Sequence, residues 1–257
     1  AAAAAGEAAP APLIRDGDRI VFVGDSITGL GVNYGPGGYV TLFRKGLDLA
    51  RPGHGAEIIA LGGSGQNVGS WMDVVRRSEQ GEVLLDVPKV EVGRTLATPA
   101  GILVIMLGMN DSLAPYTSPD EAGVEAWAGR YRTLIAALRA RAKPRITALG
   151  TVTPNTEDPA SPKNRLIALL NRRIAGLAQE LGCLALPSGE SVCETLDRGR
   201  ACRPDFHVTY DYVHPERAGH AAIACGMLAG LGEQAAAEAV RQSCIEPLLA
   251  EARVGQR

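Results

Sequence analysis

The sequence has no apolar run approaching the ~18 residues that a bilayer-spanning helix needs. It has no excess of either charge. Its 26 Lys and Arg against 28 Asp and Glu leave a net charge of −2, so nothing electrostatic directs it to nucleic acid or to an anionic membrane. No C-x-x-C pair occurs among Cys183, Cys193, Cys202, Cys225 and Cys244, which argues against a zinc or thioredoxin-like site. The glycine-rich turns fit no nucleotide motif. After Gly29-Leu30-Gly31, Tyr34 stands where the third glycine of G-x-G-x-x-G belongs, and no Walker lysine follows any glycine loop. Ile27 stands where an aspartyl phosphatase would carry a second Asp, and the G-x-S-x-G elbow is absent around Ser26. No metal or cofactor is called for.

What is present is ordinary globular composition, 46% hydrophobic and 21% charged over 257 residues, close to the upper limit for one compact core. Residues 1–15 form an Ala/Pro-rich leader without a core pattern, expected to be disordered. It could be what remains after signal-peptide cleavage, which would place the protein in a secreted or periplasmic setting. Residues 16–257 show no internal repeat and no second composition regime, and are expected to form a single domain. The odd cysteine count leaves at least one unpaired within the chain. Cys193 and Cys202, nine apart in a polar stretch, are compatible with a loop-closing disulfide, and Cys225 reads as a small buried helix residue.

The stretch Arg19–Thr28, RIVFVGDSIT, organises the rest. Ile20 to Val23 is a short β-branched apolar run halted at Gly24, the pattern of a buried strand ending in a tight turn. Further apolar strands are expected over 56–61, 101–107, 145–149 and 184–186, the most apolar, GILVIML, being central. Helical patterns lie between them over 39–50, 68–77, 118–142 and 162–181, with Gly182 as a C-cap. A polar loop is expected to run on to about Asp211, followed by helices over 215–231 and 234–253. Residues 80–99 suggest a short hairpin or an irregular insertion. Strand and helix alternate about five times, so the expected fold is α/β: a three-layer αβα sandwich around a parallel sheet of about five strands.

In such folds, polar residues just past the strand ends meet at one edge of the sheet. Ser26 follows the first strand, Gly63–Asn67 the second and Asn110 the third. Near the C-terminus, Asp211-Tyr212-Val213-His214-Pro215 offers a base and a carboxylate three residues before it, the partners a serine nucleophile requires. Pro215 is expected in the first turn of the next helix.

These blocks resemble the SGNH (GDSL-type) hydrolase family. Gly24-Asp25-Ser26-Ile27-Thr28, Gly63-Ser64-Gly65-Gln66, Gly108-Met109-Asn110-Asp111 and Asp211-Tyr212-Val213-His214-Pro215 occur in the family's order, over residues 18–231. The resemblance implies a flavodoxin-like arrangement of the sheet. It also implies Ser26 as nucleophile, His214 as general base and Asp211 as the group orienting the imidazole. The oxyanion hole would comprise the backbone N–H groups of Ser26 and Gly65 and the side-chain amide of Asn110, with Gly63 the competing register for the glycine. The implied activity is a serine esterase acting through an acyl-enzyme on small acyl esters, with O-acetylated saccharide the expected substrate. Alternatives on the same triad are a lipase or thioesterase and an O-acyltransferase. A non-catalytic carbohydrate-binding module is the reading from a different class. Tyr34 and Trp71 are candidates for the substrate pocket, with Tyr212 behind them. Asp111 and His54 are expected to be structural, His220 to be a packing or solvent residue, and His207 to be a loop histidine.

Overall fold

The structure is a computed structural model, and it describes residues 11–86, 89–113 and 117–254, with the Pro36 side chain outside the description. In chain order the elements are β1 (Arg19–Gly24), α1 (Ser26–Asn33), α2 (Tyr39–Ala50), β2 (Glu57–Gly62), α3 (Val68–Glu79), β3 (Leu85–Asp86), β4 (Val90–Glu91), α4 (Val92–Ala97), β5 (Ile102–Met106) and α5 (Met109–Leu113). They continue with α6 (Glu121–Ala142), β6 (Ile146–Gly150), α7 (Pro162–Leu181), β7 (Leu184–Leu186), α8 (Ser188–Cys202), α9 (Arg217–Gly230), α10 (Gln234–Val240) and α11 (Glu246–Val254).

Five strands form one parallel sheet in the order β2-β1-β5-β6-β7. The register pairs Val21 with Ile59 on one side and with Leu103 on the other. Strand β5 is central and buried throughout, as a continuous apolar run covered on both faces should be. The helices fall into two packing groups: α6 contacts both α3 and α7, while α2, α9 and α10 contact one another, with α8 against α9. Trp71, Trp127, Tyr131, Phe22 and Phe43 lie in the hydrophobic core with at most 1% exposure.

The order reverses between β1 and β5: the chain runs from β1 outward to β2, then returns across β1 to lay down β5. Ligands in open α/β sheets bind at such a switch point, outside the carboxyl ends of the strands. Ser26 follows β1 directly and Asn110 follows β5, so the topology brings both to one crevice.

Four expectations need correction. The leader's first ten residues lie outside the described residues, but its end belongs to the body: the Leu13 N–H donates to the Leu231 carbonyl at 3.0 Å, and Ile14 is buried in the core. The expected polar loop after β7 contains α8, whose Val192, Thr195, Leu196 and Gly199 face inward at helical spacing. Cys193 and Cys202 lie on that one helix, and nine residues of helix rise about 13.5 Å; both are free thiols, as are the other three cysteines. Pro215 precedes α9 rather than entering it and forms an isolated antiparallel bridge with Thr209. Residues 80–99 hold the small β3–β4 hairpin and, beyond it, α4.

Candidate active site

Asp25 ends the turn after β1 and caps α1, its carboxylate accepting the Ile27 N–H at 2.9 Å. This makes Ser26 the first residue of the helix, half-buried at the edge of the sheet. Helix α1 lies hard against the end of β2. A Cβ on Gly29 would fall 2.5 Å from the Gly62 carbonyl oxygen, and one on Gly62 would fall 2.2 Å from the Gly29 nitrogen. Only glycine at both positions permits that approach.

Ser26 Oγ is 2.9 Å from His214 Nε2. On the far side of the ring, His214 Nδ1 is 2.6 Å from Asp211 Oδ2. The other oxygen, Asp211 Oδ1, accepts the backbone N–H groups of His214 at 2.7 Å and Val213 at 3.0 Å. Burial pushes the Asp211 carboxyl up, but the hydrogen bonds from the His214 backbone and ring outweigh it and hold it below the usual carboxylate range. An ionised Asp211 fixes Nδ1 as the protonated ring nitrogen and leaves Nε2 to accept from a hydroxyl.

The loop carrying His214 is anchored from beneath by Glu157, which the sequence reading did not single out. Its Oε1 accepts the Val208 N–H at 3.0 Å, and its Oε2 meets Arg200 at 2.9 Å and His207 Nδ1 at 3.1 Å. The Thr156 N–H donates to the Tyr212 carbonyl at 2.9 Å, and both of these residues have left-handed backbone, φ 72° and 69°. Two non-glycine residues held there across one hydrogen bond mark a loop whose shape the surroundings impose. Tyr210, also missed, stacks on His214 with centroids 5.7 Å apart and planes 16° apart. Its signal was its place, one residue before Asp211.

The glycine block lies at the same edge. Asn67 caps α3 in a reciprocal box with Ser70, fixing the turn that precedes it. Asn110 Nδ2 donates to the Gln66 carbonyl at 2.8 Å, which uses one of its two hydrogens. Gly65 has a φ of +72°. Neither its N–H nor that of Ser26 has an acceptor among the described residues. Gly63 packs against the Gln66 side chain, so a Cβ there would fall 2.8 Å from Cγ.

Trp71 is not in a pocket. It is fully buried, and its indole N–H donates to the Gly24 carbonyl at 2.8 Å. It lies close to the site, but it supports the turn before Ser26 from behind. Tyr34 is half-buried at the end of α1, its ring 4.6 Å from that of His220. Tyr212 is 64% exposed. His220 is buried and accepts the Tyr39 N–H at Nδ1; burial, with nearby His214 adding, pushes its pKa down to about 3. His54 is a structural turn residue, accepting the Ala56 N–H at 2.9 Å.

Two buried carboxyls lie behind Ser26. Burial raises Asp25 to about 7, and Asp111 adds to that rise. Burial likewise raises Asp111 to about 6, against the Val68 N–H that it accepts. Among the described residues, no group of three or more His, Cys, Asp or Glu is placed to hold a metal ion. The arrangement can remove a proton from Ser26 as it attacks a carbonyl, and can return that proton to a leaving oxygen.

The chain matches the family model of GDSL-like lipases/acylhydrolases over residues 22–222. It is 26% identical over 233 residues to an acetylxylan esterase of Geobacillus stearothermophilus, covering 85% of this chain and 96% of that one. The solved structure of Axe2, an acetylxylan esterase from the same organism, superposes with a TM-score of 0.63 at 24% identity, over 85% of this chain and 96% of that chain. LAE5, an alpha/beta hydrolase enzyme from the metagenome of Lake Arreo, gives a TM-score of 0.64 at 21% identity, over 86% and 98%. Solved catalytic mutants of Axe2 replace a serine, an aspartate, and a histidine three positions after that aspartate. The fold is shared with these structures, and the family match spans most of the sequence: the chain belongs to the GDSL-like lipase/acylhydrolase family and is a carboxylic ester hydrolase.

Proposed function

We propose that the protein is a serine esterase that removes short acyl groups, acetyl above all, from carbohydrate through an acyl-enzyme. The observation that carries this reading is the unbroken line Asp211–His214–Ser26, with contacts of 2.6 and 2.9 Å. Ser26 Oγ attacks the ester carbonyl while His214 Nε2 takes its proton. The tetrahedral oxyanion is received by the Ser26 and Gly65 N–H groups and the free hydrogen of the Asn110 amide. One such preorganised donor lowers the barrier by about 3 kcal/mol. His214 then protonates the departing sugar hydroxyl, and water, activated by the same imidazole, releases acetate.

Three features favour a short acyl group on a polar alcohol. The site is open, with Ser26 half-buried and Tyr210 and Tyr212 exposed beside it. The cavity behind the nucleophile turn, walled by Asp25, Ile27 and Met106, holds about 10 Å³ and cannot take a long chain. The curated relative and Axe2 are acetylxylan esterases, and the residue types replaced in the Axe2 catalytic mutants, with their Asp-to-His spacing, match Ser26, Asp211 and His214. A polymeric saccharide substrate suits an exported enzyme, the setting proposed for this chain.

The test is hydrolysis of p-nitrophenyl acetate, butyrate and octanoate, followed by acetate release from O-acetylated oligosaccharide. Acetate is expected to be the best p-nitrophenyl ester, with Ser26→Ala inactive on all of them. Preference for octanoate would overturn the acyl-chain assignment, and full activity in Ser26→Ala would overturn the mechanism.

A further inference from the structure

A cavity of about 610 Å³ lies beside the catalytic loop, walled by Tyr34, Leu42, Lys45, Arg217, Ser243 and Cys244 among others. Its Tyr34 wall caps the end of α1, the helix whose first residue is Ser26. On the catalytic loop, Tyr210 stacks on His214. Arg217 opens α9 three residues after His214. The far wall is a π-helical turn, Arg241–Ile245, between α10 and α11, and it carries Ser243 and Cys244. Such turns interrupt a helix at a cost and recur at functional sites.

Some of the molecule's cations are neutralised by ion pairs and others are not. Arg51 pairs with Asp16 and Glu233, and Arg173 with Glu125 and Glu180. Lys45 and Arg217 have no hydrogen-bond or ion-pair partner among the described residues, and no described carboxylate lines the wall. Two uncompensated cations in a concavity concentrate positive potential there. A guanidinium and an ammonium lining one cavity are both groups that pair with a carboxylate.

We propose that this cavity is a subsite for a carboxylate borne by the saccharide, a uronate unit near the acetylated sugar, held by Lys45 and Arg217. The proposal rests on the carbohydrate-ester reading above and adds a preference for acidic over neutral chains. Partly exposed charge pairs change affinity modestly, so each single alanine variant is expected to lower the acidic-to-neutral ratio of kcat/KM about three- to fivefold, and the double variant about tenfold or more.

The experiment measures kcat/KM on an acetylated uronate-bearing oligosaccharide and on its acetylated neutral counterpart, for wild type, Lys45→Ala, Arg217→Ala and the double variant. In parallel, calorimetry measures binding of the deacetylated pair to Ser26→Ala, with and without the two cation substitutions, at low salt and at about 0.5 M salt. The expected result is an acidic preference in wild type that collapses in the double variant, and uronate binding that weakens with salt and with loss of the cations. The binding arm involves no turnover. Failure to cleave either saccharide would therefore count against the ester reading, while uronate binding would still decide the subsite. An unchanged ratio, equal loss of binding for neutral and acidic chains, or inorganic phosphate competing as well as the uronate chain would each overturn the proposal.

Discussion

The indole N–H of Trp71 donates to the carbonyl of Gly24 at 2.8 Å, two residues before the serine that meets His214. Helix α3, which carries Trp71, thereby holds the turn that presents Ser26. Trp71→Phe keeps most of the ring volume and removes the donor, leaving a buried carbonyl without its partner. That should cost about 1–3 kcal/mol of stability. Chemical denaturation should show a lower midpoint with an unchanged slope, and kcat should fall more than KM changes. A variant as stable and as active as wild type would show that the bond does not support the turn.

Asp25 gives a pH signature. Its folded pKa of about 7 lies above the ordinary value of 3.8 because it is buried. The native state therefore binds a proton that the unfolded chain has released between those values. Its stabilising contribution is complete below about pH 4 and is lost as pH rises to about 7. Asp25→Asn keeps an oxygen able to cap Ile27 and cannot ionise. Its stability relative to wild type should improve by roughly 1–4 kcal/mol from pH 4 to pH 8. Denaturation midpoints of both proteins at each pH check this, and a difference that stays constant with pH would contradict it.

Asp211 is held below the usual carboxylate range, so it is ionised at neutral pH. His214→Ala should lower kcat about as severely as Ser26→Ala, because the hydroxyl then has no base to take its proton, and an active His214→Ala would remove His214 as the base. Asp211→Asn should lower kcat by about 100- to 1,000-fold. This is less than the ~10⁴ of a fully buried triad aspartate, because the Asp211 side chain is 42% exposed and water can partly replace it.

Asn110→Ala removes one proposed oxyanion donor and the bond to the Gln66 carbonyl. A loss of about 100- to 1,000-fold in kcat is expected, with KM for a small ester nearly unchanged. A loss confined to KM would mean that Asn110 only shapes the binding turn.

The parts legible in the sequence were those where local chemistry and topology coincide. The apolar run 20–23 stopping at Gly24, and GILVIML stopping at Gly108, are strands whatever packs on them, and their order of alternation implied a parallel sheet. Ser26, Asn110 and Asp211–His214 were legible because each stands at a strand end or in a tight turn. Helix α8 was obscured by Ser, Gly, Glu and Arg, and its inward residues Val192, Leu196 and Gly199 leave a narrow apolar face. Trp71 was placed near the site by the glycine block before it, but a single sequence does not tell a ring facing a pocket from one facing the underside of a turn. Glu157 was invisible because its partners, Arg200 and residues 207–209, lie more than 40 residues away. The role of Pro215 was misjudged because a proline before a helix and one inside its first turn read alike.

The most direct test of the central claim is to trap the intermediate. Wild-type protein mixed with p-nitrophenyl acetate, quenched in acid within the first turnovers and digested, should carry one acetyl group on the peptide containing Ser26. A burst of p-nitrophenol close to the enzyme concentration should accompany it whenever deacylation is the slower step, and Ser26→Ala should show neither. Acetylation of another residue, or ester cleavage undiminished in Ser26→Ala, would contradict the account.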